Sequence, residues 1–313
     1  MKIDNLDLRQ LRVFLTVADC GGFSQAQAEL NFSISTISIQ MSDLETRLGM
    51  RLCQRGRSGF SLTKEGERVY SAAKTLFSQI DGFNNEIHDL RQELSGKLLL
   101  GIADNLVTHP NPSISQSLHQ LFNMEGKIET AISILSPNLL EREVLDQRLD
   151  IAIGAFPKQL PGLLYQPLFT ENQILYCSSK HPLFNSNTDK LSLQDLVKYK
   201  VAQRGYTAGR PHPSNIKTAG SGALSYQMEG LVYLVLSGHF IAHLPDHLAQ
   251  KWVERGDMKA LNPQGLGYES TFELIVRAGT HASPVLKAFK QCLATCLATE
   301  KKKDPAITKV PFN

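Results

Sequence analysis

Small side chains lie along one face of a predicted helix between Ser33 and Leu48. Ser35, Ser38, Ile39 and Ser42 share this face, whereas Ile37, Met41, Leu44 and Leu48 recur with helical spacing on the opposite face. The apolar face must pack inward, which leaves the other face exposed. Hydroxyl groups can bond to phosphates or base edges, isoleucine can contact a thymine methyl group, and a major groove about 12 Å wide admits one helix. The pattern is typical of a helix that reads DNA.

A shorter predicted helix precedes this one. Ser24 and Gln27 have the spacing of a capping box, and the helix they begin is expected to end near Leu30. Only Asn31 to Ser33 separates it from the next helix, as in a helix-turn-helix motif whose second helix enters the major groove. A helix pair that only packs within its own domain remains the alternative interpretation.

A basic turn follows the predicted recognition helix. Arg51, Arg55 and Arg57 surround Gly56 and Gly59, and apolar residues then alternate with polar ones. This arrangement predicts a two-stranded wing that presents arginines. Arginine side chains can pair with phosphates or enter a narrow minor groove. A solvated loop without DNA contacts is the alternative.

The run from Leu11 to Gly66 carries a dense pattern of matching residues, namely Phe14, Val17, Phe23, Ala26, Leu30, Ser38, Leu44, Glu45, Leu48, Gly49, Leu52, Arg55, Leu62, Thr63 and Gly66. It resembles the N-terminal winged helix-turn-helix of LysR-type transcriptional regulators. The resemblance implies a DNA-binding surface made of Ser33, Ile34, Ser35, Thr36, Ser38, Ile39, Ser42, Arg55 and Arg57.

The chain departs from the family pattern at two of these positions. Family members often carry glutamine at the first and a long polar residue at the second, where this chain has Ile34 and Ile39. Ile34 either contacts DNA or extends the buried stripe that begins with Ile37. Ile39 lies off the stripe and is predicted to contact a thymine methyl group.

Apolar residues repeat with unbroken heptad spacing after Thr63, which is expected to cap a helix from Lys64 to about Leu94. The repeat consists of Val69, Ala73, Leu76, Ile80, Phe83, Ile87, Leu90 and Leu94. A helix packed only on its own domain would also show a stripe. In the resembled family this helix links two subunits. We therefore predict a dimer that binds inverted half-sites. The half-sites are expected to be about 34 Å apart, which is one turn of DNA, or a multiple of that distance.

Composition sets broad limits on function. The chain has 313 residues, of which 42% are hydrophobic and 20% charged, and this length suffices for two or three domains. A net charge of +3 is too small for a general nucleic-acid coat, so DNA contacts must be local. No signal peptide or apolar run of membrane length is present, and the five cysteines form no paired framework. These features predict a cytoplasmic protein without a membrane partner.

Strands alternate with helices after Ser95, which predicts an α/β fold with a parallel sheet. Short sequence motifs such as His181-Pro182-Leu183 and Leu244-Pro245 resemble motifs of the family's effector domain, which has a two-lobed periplasmic-binding-protein-like fold. The expected organisation is an all-α winged helix-turn-helix domain (1–63), a linker helix (64–95), an effector domain (96–299) and a charged tail (300–313). Lobe I is expected at about 96–168 plus 268–299, and lobe II at about 169–267.

A small-molecule effector is expected between the lobes, where strand ends and helix N-termini converge. The candidate contacts are Asp104, Asn105, Ser136, Arg204, Gly205, Tyr206, Thr207, Met228 and His243. Arg204 favours a carboxylate, whereas Asp104 opposes a strongly anionic ligand, so a carboxylate or a zwitterion is expected. Each candidate could equally be an ordinary loop or capping residue.

No motif indicates catalysis, a metal or a cofactor. His239, His243 and His247 have the spacing of helical metal ligands, but Pro245 interrupts that helix. GxSxG, P-loop and HExxH motifs are absent from the sequence. The expected protein is a homodimer, or a tetramer built as a dimer of dimers, with DNA, an effector and RNA polymerase as partners. A binding protein or enzyme that uses its N-terminal helices only for assembly is the rival hypothesis.

Overall fold

The computed structural model describes residues 5–56, 59–90, 94–110, 113–207, 212–216, 222–280 and 282–303. The chain divides into two compact units, Met1–Asn84 and Asn85–Asn313. Among the residues described, no helix is both long enough and apolar enough to cross a membrane.

The N-terminal unit is a winged helix-turn-helix, as predicted. Its elements are α1 (Asn5–Asp19), α2 (Phe23–Leu30), α3 (Ile34–Leu48), β1 (Cys53–Gly56), β2 (Gly59–Leu62) and α4 (Lys64–Leu90). The antiparallel pair β1 and β2 forms the wing, in which Arg55 is opposite Phe60. Phe14, Val17, Ala26, Ile37 and Met41 are fully excluded from solvent and form the centre of the core.

One predicted boundary in this unit is wrong. Helix α2 begins at Phe23 with Gly22 as its N-cap, so Ser24 lies inside the first turn and does not cap the helix. Helix α4 is described as far as Leu90, the next three residues of the predicted helix lie outside the described residues, and Leu94 is not helical. The predicted cap at Thr63 is present, since its hydroxyl accepts a bond from the Gly66 amide at 2.9 Å.

The C-terminal unit alternates strands and helices. In its first part lie β3 (Ser95–Ile102), a 3-10 turn (Leu106–Thr108), α5 (Ser113–Phe122), β4 (Lys127–Ile134), α6 (Pro137–Leu145), β5 (Ile151–Gly154) and β6 (Leu163–Ser178). Then follow α7 (Leu193–Leu196), β7 (Lys200–Arg204), β8 (Ala223–Ser225), α8 (Met228–Leu236) and β9 (Phe240–Pro245). The last elements are α9 (Asp246–Glu254), β10 (Met258–Ala260), α10 (Pro263–Leu266), β11 (Tyr268–Arg277) and α11 (Pro284–Lys303).

The described strands of this unit form a mixed sheet rather than the parallel sheet expected. Their order is β4-β3-β5-β11-β6-β9-β7-β8, with β10 also paired to β6. Strand β3 is parallel to β4 and β5, and β7 is parallel to β8 and β9. Between these groups the long strands β6 and β11 pair antiparallel from Leu163 and Arg277 to Gln173 and Tyr268. These two strands connect two separate cores.

Each end of the sheet packs its own apolar core, which gives the unit its two lobes. One core contains Leu100, Ile153 and Phe289. On the opposite side of the β6 and β11 pair, Val235 and Leu244 belong to one cluster and Leu175 and Ile241 to another. The ends of β3 and β7 both point toward the space between the lobes, because Ala103, Asp104 and Arg204 line the same cavity.

Candidate functional sites

Helix α3 is held firmly on its inner side. Ile37, Met41 and Leu44 are fully buried. Arg47, in the last turn, donates from Nε to Asp7 Oδ1 at 2.5 Å and from Nη2 to Oδ2 at 2.9 Å, which joins α3 to α1. Bidentate pairing of this kind fixes orientation as well as position.

Glu45 connects the same helix to the wing. Its Oε1 accepts hydrogen bonds from the amides of Leu52 at 2.7 Å and Cys53 at 3.2 Å, at the start of β1. The T-shaped contact between Phe23 and Phe60, with ring centroids 6.0 Å apart, fixes the second strand against α2. The helix and the wing therefore form one rigid surface.

The outer side of α3 exposes apolar and hydroxyl groups together. Ile34 is 43% exposed and Ile39 is 61% exposed, so Ile34 does not extend the buried stripe. Ser35 and Ser42 are also exposed, whereas Thr36 and Ser38 are half-buried. The described side chains predicted to contact DNA from α3 therefore offer methyl groups and short hydroxyl donors.

Ser33 performs a structural task at the start of the helix. Its hydroxyl oxygen accepts a bond from the Thr36 amide at 3.1 Å and lies 2.8 Å from the hydroxyls of Ser35 and Thr36. These hydrogen bonds fix the first turn of α3, next to the exposed face of the helix. Arg57 and the side chain of Arg55, both predicted to contact DNA, lie outside what the structure describes.

The predicted dimerisation seam divides into two parts. Ala73 is buried in the core of the N-terminal unit, and Val69 and Leu76 pack against that core, so these residues stabilise their own subunit. Farther along, Ile80 is half-buried and Phe83 is 62% exposed. The side chains of Ile87 and Leu90 lie outside what the structure describes. Leu94 packs against the core of lobe I, because it lies beyond the helix.

Charged side chains converge in a cavity between the two lobes. Asp104 follows β3, Arg204 ends β7, and Glu171 and Gln173 lie on the long strand β6. The cavity has a volume of about 20 Å³. A neighbouring cavity of about 330 Å³ is also lined by Arg204, together with Tyr206 and Tyr268. Of the predicted effector contacts, Asp104, Arg204, Tyr206 and Met228 are brought together here.

A chain of hydrogen bonds connects these groups. Arg204 Nη2 donates to Gln173 Oε1, and Gln173 Nε2 donates to Glu171 Oε1. The other Glu171 oxygen lies 2.8 Å from His247 Nε2, and His247 Nδ1 lies 2.8 Å from the Thr108 hydroxyl. The chain thus crosses from lobe II through β6 to lobe I.

Asp104 makes a second connection between the lobes. Its Oδ2 accepts a hydrogen bond from the amide of Met228, the first residue of α8. A carboxylate is favoured there because the unpaired amides and the helix dipole carry positive charge. Burial nevertheless raises the pKa of the Asp104 carboxyl, and Glu171 adds to this effect, while Met228 and Arg204 oppose it.

The remaining predicted contacts have other environments. Ser136 occupies the N-cap position of α6, where its hydroxyl donates to Asn138 Oδ1, and borders a separate cavity of about 250 Å³ beside Tyr226. Gly205 lies against the Tyr226 ring, where a Cβ atom would approach to 2.6 Å. Thr207 is buried and its hydroxyl donates to the Arg204 carbonyl at 3.1 Å, so it supports the strand end. Asn105 adopts a left-handed conformation with φ of 64°, which forms the turn after β3.

His243 does not line the cavity, contrary to the prediction. It is 3% exposed within β9, its Nε2 lies 2.8 Å from the Leu266 carbonyl, and its ring packs on Tyr268. Burial lowers the pKa of His243 to about 4, and the positive charge of Arg204 adds to this effect. A neutral histidine therefore supports the cavity wall from behind.

Sequence reasoning missed Glu171, Gln173 and His247. Each lies within an element, whereas ligand contacts are expected where strands end. One signal was available: Glu171 and Gln173 lie between the apolar pairs Leu168-Phe169 and Ile174-Leu175, and buried charged residues need partners.

Family models match most of the chain. The model described as bacterial regulatory helix-turn-helix protein, lysR family, matches residues 8–67, and the LysR substrate binding domain matches residues 91–297. The chain is 37% identical over 293 residues to the HTH-type transcriptional activator BauR of Pseudomonas aeruginosa, covering 94% of this chain and 96% of that protein. The chain belongs to the LysR family of transcriptional regulators.

Other relatives agree with this assignment. The SDS degradation transcriptional activation protein of a Pseudomonas species is 28% identical over 301 residues, or 91% of this chain and 94% of that protein. A full-length OxyR variant from Pseudomonas aeruginosa has the same fold, with a TM-score of 0.62, 20% identity and 95% of each chain covered. Full-length CbnR, complexed with its target DNA, has a TM-score of 0.60 and 18% identity over 92% of this chain and 99% of that one.

The LysR-type chain is thus a transcriptional regulator with a helix-turn-helix domain and an effector-binding domain. Regulators of this family bind DNA and form oligomers, and they are not enzymes. The rival hypothesis, a small-molecule binding protein or enzyme that uses its N-terminal helices only for assembly, is therefore wrong.

Proposed function

We propose that this LysR-type regulator is a dimer or tetramer that binds inverted DNA half-sites and responds to a small molecule held between its two lobes. The observation that carries the DNA part is the exposed face of α3, where Ile34 and Ile39 project from a helix whose inner side is fully buried. Because its partner is chromosomal DNA, the proposed site of action is the cytoplasm.

The proposed mode of reading is partly apolar. Ile39 contacts a thymine methyl group, Ser35 and Ser38 donate to bases or phosphates, and Arg55 and Arg57 contact the backbone. One such helix makes two or three base contacts of about 1–3 kcal/mol each. Specific and non-specific binding differ by about 4–10 kcal/mol, so one subunit is insufficient and two subunits with their wings are needed.

The proposed response to the effector depends on the contacts between the lobes. Asp104 with Met228, and Thr108 with His247, join one lobe to the other. A ligand that enters the cavity adds to or replaces these contacts, and it therefore has different affinities for open and closed lobes. The consequence is a change in DNA bend or in contact with RNA polymerase. Activation is the proposed direction, because two relatives are named as activators.

The DNA part is tested by selecting fragments of the source genome with the full-length protein at about 150 mM salt, where non-specific affinity is weak. The expected result is a small set of fragments that share inverted half-sites and give a footprint. Recovery of fragments without a shared sequence would contradict sequence-specific binding. The coupling is tested on the recovered operator: a ligand that binds but changes neither the footprint nor the DNA bend would contradict it.

A further inference from the structure

The cavity between the lobes collects buried charges of both signs. Asp104, Glu171 and Arg204 line it, and Glu171 and Arg204 are only 5% and 3% exposed. A buried charge without compensation costs several kcal/mol, so such groups persist only with partners of opposite charge or with several hydrogen bonds. A ligand that binds here must satisfy both the guanidinium and the carboxylates.

Arg204 has donors that its neighbours do not use. Its Nη2 is bonded to Gln173. In the parts of the chain that the structure describes, its buried Nε has no hydrogen-bond partner. A guanidinium binds a carboxylate through two parallel hydrogen bonds, a geometry that a single amide oxygen cannot supply. Space for a small acid exists beside it, in the neighbouring cavity of about 330 Å³.

The carboxylates outnumber Arg204 in the same lining. Glu171 is next to His247, whereas Asp104 is bonded to the neutral amide of Met228. Burial raises the pKa of the Asp104 carboxyl, whereas the Met228 amide and Arg204 lower it and Glu171 adds a smaller rise. Because two carboxylates and one guanidinium line the cavity, its side chains carry an excess of negative charge. A ligand that brought only a carboxylate would increase this excess. An ammonium group near Asp104 would remove it.

We infer that the effector is a small zwitterionic amino acid, whose carboxylate is bound by Arg204 and whose ammonium group is bound by Asp104 and Glu171. This inference rests on the proposed function, since it specifies the ligand of the proposed effector site. A simple acid leaves Asp104 without a cation, an amine leaves Arg204 Nε without an acceptor, and a dicarboxylate adds two negative charges.

The test is isothermal titration calorimetry of the full-length protein with amino acids of two to four carbons, carrying the amine on the α carbon or on the terminal carbon. Each is compared with the acid that lacks its amine and with the amine that lacks its carboxylate. At least one amino acid is expected to bind. Loss of either charged group is expected to weaken binding at least about 100-fold, because it leaves buried polar groups of the site unpaired.

Two variants separate charge from shape. Asp104→Asn retains the size and the oxygen acceptor for the Met228 amide but removes the charge, and it is expected to weaken amino-acid binding about 30-fold or more. It should also reduce the preference over the acid without an amine. Glu229→Gln removes a carboxylate from the exposed surface of the same first turn of α8 and is expected to leave binding unchanged.

Three results would overturn the inference: the acid alone binds as tightly as the amino acid, Asp104→Asn binds the amino acid like the parent, or no amino acid in the series binds. The first and third use the parent protein, so they do not depend on whether the variant folds. Operator binding is measured on the same preparation. If operator binding is retained, any of these three results contradicts the ligand assignment alone. If the protein selects no operator from the genome, the proposed DNA binding is contradicted instead.

Discussion

Two isoleucines occupy the surface of α3 where family members often present long polar side chains. Both are exposed, although fully burying an isoleucine is worth about 1.5–3 kcal/mol. Their exposure is therefore a cost in the free protein that burial against DNA would recover. An apolar contact of this kind distinguishes thymine from the other bases by its methyl group alone.

The corresponding prediction concerns Ile39→Ala. Binding to the operator is expected to weaken by about 1 kcal/mol, or roughly fivefold, because one methyl contact is lost. Replacing the contacted thymine by uracil should weaken the parent by a similar amount and leave the variant unaffected. Titration of labelled operators in all four combinations measures this coupling. Equal effects of uracil on both proteins would exclude the methyl contact.

His243 leads to a prediction about pH. Its pKa in the folded protein is about 4, below the ordinary value of 6.5, so the unfolded chain binds more protons between these values. The contribution of His243 to the free energy of unfolding of the C-terminal unit should therefore be fully present above pH 6.5. It should be lost as the pH decreases toward 4, which lowers this free energy by about 3 kcal/mol. Urea unfolding across this pH range measures the loss.

The matched variants are His243→Gln and His119→Gln. Glutamine at 243 retains a donor for the Leu266 carbonyl but does not titrate, so the acid-induced loss should become smaller. Some loss should remain, because burial also lowers the pKa of His212 to about 4. His119→Gln makes the same change on the exposed surface of α5 and is the control for the substitution itself. An unchanged profile in His243→Gln would contradict the assignment.

At the scale of elements, the junction between the wing and α4 depends on a glycine. A Cβ atom at position 66 would lie 1.9 Å from the Leu52 carbonyl oxygen, whereas one at Gly82, in the same helix, would meet no described atom within 4 Å. Gly66→Ala is expected to destabilise the N-terminal unit by about 3 kcal/mol or more, since backbone must move. Gly82→Ala should stabilise it by about 1 kcal/mol through helix propensity.

Hydrogen exchange of peptides from residues 5–56 reads this unit separately from the rest of the full-length protein. Faster exchange is expected in Gly66→Ala and equal or slower exchange in Gly82→Ala. Because both changes add the same methyl group to the same helix, a similar response in the two variants would show that the close contact with Leu52 is not what requires glycine.

The elements that periodicity could predict were those with one clean apolar face. Helix α3 agrees with the bounds predicted from its apolar stripe to within a residue or two. Strand β6 carries Thr170, Glu171 and Asn172 in its central segment, so apolar periodicity does not predict it. These polar residues belong to the strand through long-range pairing with β11. Local pattern contains no information about that pairing.

The same limit applies to the proposed effector site. Asp104 and Arg204 could be predicted, because both follow the rule that ligands bind where strands end. Glu171 reaches the cavity from the middle of β6, and His243 faces away from it. The direction of a strand residue depends on which face of the sheet meets the space between the lobes, and the sequence alone does not reveal this face.

At the scale of the whole molecule, β6 and β11 determine how the lobes can respond to a ligand. Each strand contributes to the core of lobe I through Phe169 and Leu274 and continues into the other lobe. Glu171 and Gln173 lie on the crossing part of β6, so a ligand bound to Arg204 acts on the same strand that joins the lobes. In the proposed response, this shared strand is the route by which a bound effector changes lobe closure.

Assembly is the remaining property at this scale, and the two units expose separate apolar surfaces that could support it. In the N-terminal unit Phe83 is 62% exposed on α4. In the C-terminal unit Phe122, Ile132 and Ile134 are 48% to 55% exposed, and the two isoleucines lie on β4, the edge strand of the sheet. Exposed apolar groups on a sheet edge favour association with a second chain.

A chain with two different self-association surfaces forms a dimer through one and a dimer of dimers through both. Ile132→Glu is therefore expected to remove the association made through β4, which reduces a tetramer to a dimer. Phe83→Glu is expected to weaken the proposed association that pairs two recognition helices. Sedimentation velocity over a range of concentrations measures both effects. Leu193→Glu places the same charge on an apolar residue that is 58% exposed on α7 and should sediment like the parent. If the Ile132 and Phe83 variants also sediment like the parent, neither surface mediates assembly. The subunits must then associate through contacts made elsewhere in the chain.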